Sequence, residues 1–130
     1  MGVTENMSYE RRSNPRYRVD FTVSVQVTAD PCAAVHAAEA ANLSRTSIQC
    51  SCQPELIAAL LLQQTLPYTC ELQFRLPWHA HEFRLQAQVV TQRRLSQQQY
   101  VLVLLFCHED EAQELLLDRL LASQQPAGLL

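Results

Sequence analysis

The sequence predicts a mainly β fold, a six-stranded antiparallel barrel with a short inserted helix and a C-terminal helix. Three observations lead there. Apolar and polar residues alternate with period two in several short runs, the mark of half-buried strands. Groups of turn-forming residues separate these runs at short intervals. Helical spacing shows in only two places, so most strands follow one another without the intervening helix that a parallel sheet requires.

The elements follow in order. Residues 1–17 are polar and irregular and form an N-terminal arm, residues 18–122 form the folded unit, and residues 123–130 form a tail. From Val19 the chain alternates, with Phe21, Val23, Val25 and Val27 set against Thr22, Ser24, Gln26 and Thr28. Asp30-Pro31 turns it. Val35–Ala41 is an alanine-rich strand assigned by its neighbours rather than by propensity, which would also allow a helix. Asn42-Leu43-Ser44-Arg45-Thr46-Ser47 is a turn into a short strand, Ile48–Cys52.

Pro54–Gln64 predicts the inserted helix: proline opens it, Glu55 sits in its first turn, and Leu56, Leu60 and Leu61 make an apolar stripe. Tyr68–Leu76 alternates again, and Pro77-Trp78-His79-Ala80 turns the chain, with Trp78 expected to lie partly buried over the barrel mouth. Phe83, Leu85, Ala87 and Val89 mark the next strand, and Leu95–Gln99 the turn after it. Tyr100–Cys107 is apolar on both faces and therefore needs cover outside the core as well as within it. The last helix, led by Glu109, Asp110 and Glu111 and carrying Leu115, Leu116, Leu120 and Leu121, is a candidate for that cover.

Composition narrows the function. A chain of 130 residues, 48% hydrophobic, has material for one core. The net charge of −3 argues against a general nucleic-acid binder, so DNA is not an expected partner. No apolar run reaches the roughly 18 residues of a membrane span, and no secretory signal is recognisable at the N-terminus. Five cysteines, an odd set, fit free thiols in a reducing cytoplasmic setting. Cys50-x-Cys52 and His79-x-His81 could supply four zinc ligands, but i and i+2 on a strand merely share a face, so core cysteines and exposed histidines are the plainer reading. His36, His79, His81 and His108 show no Ser or Cys partnership of the kind a hydrolase needs, and no enzyme is expected.

Against this acidic background Arg11, Arg12, Arg16 and Arg18 crowd into eight positions before the first strand. Pro15 disfavours helix for the residue before it, so the arm is a turn or extended chain. If extended, Arg12 and Arg16 share a side about 13 Å apart, at ~3.3 Å per residue. Two guanidinium forks so spaced suit a ligand with several anionic and acceptor groups, such as a dinucleotide. Arg45, Arg93 and Arg94 read as solvated turn residues, with Arg93 or Arg94 also placed to line a pocket from the far strand end.

Two segments together resemble one family. Arg12-Ser13-Asn14-Pro15-Arg16, just before the first strand, is similar to the RxxxR motif of PilZ domains, and Asn42-Leu43-Ser44-Arg45-Thr46-Ser47 is similar to their (D/N)xSxxG motif. The resemblance spans roughly residues 9–122 and implies a six-stranded PilZ-like β-barrel acting as a bacterial receptor for cyclic di-GMP, without catalysis or a further cofactor. By position, Arg12 and Arg16 would take phosphates and the acceptor edge of guanine, and Asn42 and Ser44 the other guanine edge or nearby backbone. Arginine forks suit this, because they read guanine O6 and N7 bidentately and stack on base faces. Arg11 matches members whose ligand is a stacked dimer of the dinucleotide. Ser47 stands where the family has glycine, which would cost roughly 1–2 kcal/mol if that backbone were left-handed.

Because the clamp lies on an arm outside the core, ligand binding is expected to order it and create a surface for a protein effector, with the receptor a monomer or homodimer. The alternative is a degenerate PilZ-like interaction module that binds no nucleotide and works through the two-faced strand and the Leu-rich helix.

Overall fold

A computed structural model describes residues 15–27, 34–63, 66–107 and 110–123. Arg11, Arg12 and most of the arm, the Asp30-Pro31 turn, Cys32, His108, Glu109 and the tail beyond Ser123 lie outside the described residues. The described chain runs β1 (Tyr17–Val27), β2 (His36–Leu43), β3 (Ser47–Cys52), α1 (Pro54–Leu61), β4 (Thr69–Arg75), β5 (Glu82–Ser96), β6 (Gln99–Phe106) and α2 (Glu111–Ala122). The strands close into an antiparallel barrel in the order β1-β2-β3-β6-β5-β4. Six strands, an inserted helix and a terminal helix are what the alternation predicted.

The period-two pattern explains which side chains go inside. Val23, Val25 and Val27 of β1 point inward with Ile48, Cys50 and Cys52 of β3, Leu72 and Phe74 of β4, Phe83 and Leu85 of β5, and Leu102, Leu104 and Phe106 of β6. Phe74 is the centre of an aromatic stack, its ring centroid 5.5 Å from Phe21, 5.4 Å from Phe83 and 6.4 Å from Phe106. Burial of that many apolar side chains is the main source of stability for a barrel of this size.

The helices plug the two ends. α1 joins the end of β3 to the start of β4 and buries Leu56, Ile57 and Leu60. α2 closes the other end with Leu117 and Leu121. Asp110 caps it, its carboxylate accepting from the backbone N–H groups of Ala112 (3.1 Å) and Gln113 (3.3 Å). The Gln113 carboxamide then grips β5, accepting from the Arg84 N–H and donating to the Arg84 carbonyl. This corrects one expectation. α2 meets the barrel at its mouth, where Leu117 and Leu121, with Leu116 and Leu120 partly buried beside them, pack against the core, and Val101, Val103 and Leu105 keep their places on the outer wall of β6.

β5 is also longer than expected. Arg93 and Arg94 belong to the strand, paired with Val101 and Tyr100, and only Gln97 and Gln98 form the turn. Trp78, 36% exposed, lies in the β4–β5 turn. The zinc alternative loses its geometry, since Cys52 sits beside Tyr100 at one end of the barrel while His79 and His81 flank the β4–β5 turn at the other.

Candidate functional site

The start of β1 and the end of β2 lie side by side. Tyr17 pairs with Leu43 and Arg18 with Asn42. Arg16 comes one residue before the first of these pairs and Ser44 one residue after it, so the arm joins the barrel directly beside the β2–β3 turn. Tyr17 is buried and anchors the junction, while Arg16 and Arg18 are exposed and hold no acidic partner among the described residues.

The turn is built around one hydroxyl. Ser44 is 1% exposed, and its Oγ accepts from the backbone N–H groups of Thr46 (3.1 Å) and Ser47 (3.0 Å). The same oxygen lies 3.2 Å from Thr46 Oγ1 and 3.1 Å from Ser47 Oγ. The Ser44 N–H donates to the Ser47 carbonyl at 2.9 Å. Ser44 therefore shapes the loop from inside. Arg45 lies 4.0 Å from Asp118 of α2, linking the turn to the helix that closes this end. Ser47 opens β3 opposite Leu105, and no described non-glycine residue has positive φ. Serine therefore carries no left-handed backbone penalty at this position.

Two bulges adjoin this corner, one in β1 between Arg18 and Phe21 and one in β2 between Ala40 and Asn42. Each inserts an unpaired residue, adding twist where the site residues leave the sheet. Asn42 faces outward, and its Nδ2 donates to Gln49 Oε1 at 3.3 Å.

Following the register round the outer wall, Arg18 pairs with Asn42, Asn42 with Gln49, Gln49 with Val103 and Val103 with Thr91. Four strand spacings of ~4.8 Å make this row about 19 Å wide. Its far half is a groove of about 330 Å³ lined by Gln49, Thr91, Arg93, Val101 and Val103. The arrangement offers cations at both ends, amides near the first, and an apolar floor between. Sequence reasoning singled out Arg16, Asn42, Ser44 and Ser47 but missed Gln49, Thr91 and Val103. The available signal was β6 itself, whose outer residues are apolar without helical cover.

No family model matches the sequence, and no curated protein does. Solved structures do match. The inhibitor of motility MotI/DgrA of Bacillus subtilis superposes with a TM-score of 0.66 at 16% identity, over 88% of this chain and 51% of that one. K. pneumonia MrkH, in its complex with c-di-GMP, gives 0.67 at 12% identity, over 87% and 52%. The PilZ domain of Escherichia coli YcgR, solved with c-di-GMP, gives 0.57 at 15% identity, over 87% and 90%. The fold is PilZ-like. The chain spans about half the length of MotI/DgrA and MrkH, so its PilZ-like barrel corresponds to only part of each. Against the YcgR domain the correspondence covers nearly the whole of both chains.

Proposed function

We propose that this protein is a bacterial, cytoplasmic receptor for cyclic di-GMP, held between the arginine arm and the outer barrel wall, which passes the signal to a protein partner. The observation that supports the reading is that Arg16 immediately precedes the Tyr17–Leu43 pair, beside the Asn42–Ser47 turn, on a PilZ-like barrel whose structural neighbours include proteins solved with c-di-GMP. In this reading Arg16, with Arg12 and Arg11 ahead of it, takes phosphate oxygens and guanine acceptors through charge-assisted bonds. Asn42 supplies its amide to the second guanine edge, and Ser47 lines the turn. Ser44 acts through the turn it organises, which presents its neighbours. The protein works as a binder and catalyses nothing.

The output follows from where the clamp sits. The arm joins the barrel at its rim, so closing it over the nucleotide creates a composite surface that a partner reads. Isothermal titration of cyclic di-GMP into the purified protein tests this. Saturable heat at tens of micromolar or below is expected, and its absence removes the proposal.

A second reading, an interaction module that binds no nucleotide, draws on the outward-facing Val101, Val103 and Leu105. It predicts a dimer or partner complex indifferent to nucleotide. Light scattering after size exclusion, with and without cyclic di-GMP, separates the two.

A further inference from the structure

β4 accompanies β5 only as far as Thr69 opposite Gln88, with one further bond from the Val89 N–H to the Tyr68 carbonyl at 2.8 Å. Beyond that point β5 pairs with β6 alone, through Thr91–Val103, Gln92–Leu102, Arg93–Val101, Arg94–Tyr100 and Ser96–Gln99. The opposite edge of residues 90–96 has no neighbouring strand among the described residues. At ~3.3 Å per residue this free edge is about 23 Å long. It is also apolar in part, since Val90 is 55% and Leu95 51% exposed.

An exposed edge of this kind is a template for another strand, and natural proteins usually blunt it with charge or bulges. Both devices are present. Register shifts at Val90 and Leu95 bracket the edge, leaving Thr91–Arg94 as four consecutively paired residues between them. Arg93 and Arg94 are adjacent, so their side chains leave on opposite faces and would flank an incoming strand above and below. Two copies joined edge to edge with Thr91–Arg94 of each facing the other would bring four guanidiniums together, and like charges across a pair of strands are destabilising. A carboxylate-bearing strand meets the reverse situation, with Arg93 on one face and, on the other, Arg94, whose Nε also donates to the Ser96 carbonyl at 3.1 Å. The arginines thus act as a filter against self-pairing and in favour of an acidic guest.

We infer that the free edge of β5, residues 90–96, receives a short extended segment of a partner protein as an added strand, selected for carboxylate side chains by Arg93 and Arg94. Main-chain hydrogen bonds would supply the affinity and the two guanidiniums the selectivity. The edge shares Thr91 and Arg93 with the groove of the outer wall, so it is tested without nucleotide, where a failure bears on the edge alone.

The test uses the full-length, ¹⁵N-labelled protein without nucleotide, titrated with three blocked heptapeptides and followed by amide shifts and hydrogen exchange. One peptide alternates valine with glutamate, the second replaces glutamate by lysine, and the third is the glutamate peptide with alternate backbone nitrogens methylated. The glutamate peptide is expected to shift and protect amides within residues 90–96, and the other two to leave them unchanged. The double variant Arg93→Glu, Arg94→Glu, on exposed positions, should weaken the glutamate peptide roughly tenfold or more and transfer preference to the lysine peptide. Silence from the glutamate peptide up to about 1 mM, equal responses to all three, or shifts confined to another surface would each overturn the inference.

Discussion

Arg18 and Asn42 are cross-strand partners, and through this pair the start of β1 and the β2–β3 turn become one corner of the barrel. Arg16 and Asn42, 26 residues apart in sequence, are thereby held at the same corner. Replacing Arg16 by alanine should therefore weaken cyclic di-GMP by about 1–3 kcal/mol, the range for a lost charge-assisted bond. Arg12→Ala should do the same. Because Arg16 is exposed, its loss should leave the melting temperature unchanged. Arg75→Ala, at the β4–β5 turn beside Glu82, serves as the control that keeps full affinity. Titration calorimetry and thermal melts decide it, and wild-type affinity in both arm variants would reject the clamp.

Ser44 makes a different prediction from Arg16. Its buried oxygen serves two backbone N–H groups of a half-buried turn, so alanine there leaves both without that acceptor. A loss of about 1–3 kcal/mol in unfolding free energy is expected. Affinity for nucleotide should fall as well, since the turn that carries its neighbours loosens. A urea midpoint that does not move would show that the turn holds without this hydroxyl.

How much of this was legible beforehand depends on what each pattern encodes. Period-two burial marks the strands, because Val23, Leu72 and Phe83 alternate with polar neighbours. It fails for the second half of β5, where residues 90–96 are exposed on both faces and no alternation exists. That half is held by pairing to β6, a tertiary relation that local sequence does not carry. The site shows the same division. Arg16, Asn42 and Ser47 could be marked by motif, but the burial of Ser44 depends on how the turn folds inward. Thr91 and Val103 join the outer row only through the register of three strand pairs.

The interior thiols give a pH dependence. Burial pushes Cys50 and Cys70 up to about 12 and Cys52 up to about 11, from an ordinary 9.0, with neighbouring thiols adding to the rise for Cys50 and Cys70. The folded protein then keeps protons that the unfolded chain releases. Stability from these groups is complete below pH 9 and is lost as the pH climbs from there through about 12. The urea midpoint should thus fall as the pH rises above about 9. Cys50 and Cys70 should resist iodoacetamide in the native protein and react once it is unfolded, while the less buried Cys107 reacts earlier. Native labelling of Cys50 would contradict its place in the core.

Phe74 touches three other aromatic rings at the end of the barrel that α2 closes. Phe74→Ala removes the centre of that stack and should cost about 3–5 kcal/mol. Against the 5–15 kcal/mol typical of a domain, roughly, this leaves the fold marginal. Phe74→Leu, which refills most of the volume, should recover a large share. Equal melting temperatures for the alanine variant and the wild type would show that the stack contributes little.

Ser47 tests whether the turn has been rebuilt around serine. Its backbone has no positive φ, so glycine relieves no strain, and the 3.1 Å contact between Ser47 Oγ and Ser44 Oγ would be lost. Added backbone freedom in the unfolded chain acts in the same direction, so Ser47→Gly should lower stability by roughly 0.5–1 kcal/mol. For the nucleotide the expectation is little change, because the side chain is already turned to Ser44. Calorimetry on the variant reads both quantities. An affinity raised tenfold or more, about 1.4 kcal/mol, would mean that the serine Cβ had been crowding the ligand, and that glycine is needed there for access rather than for backbone conformation.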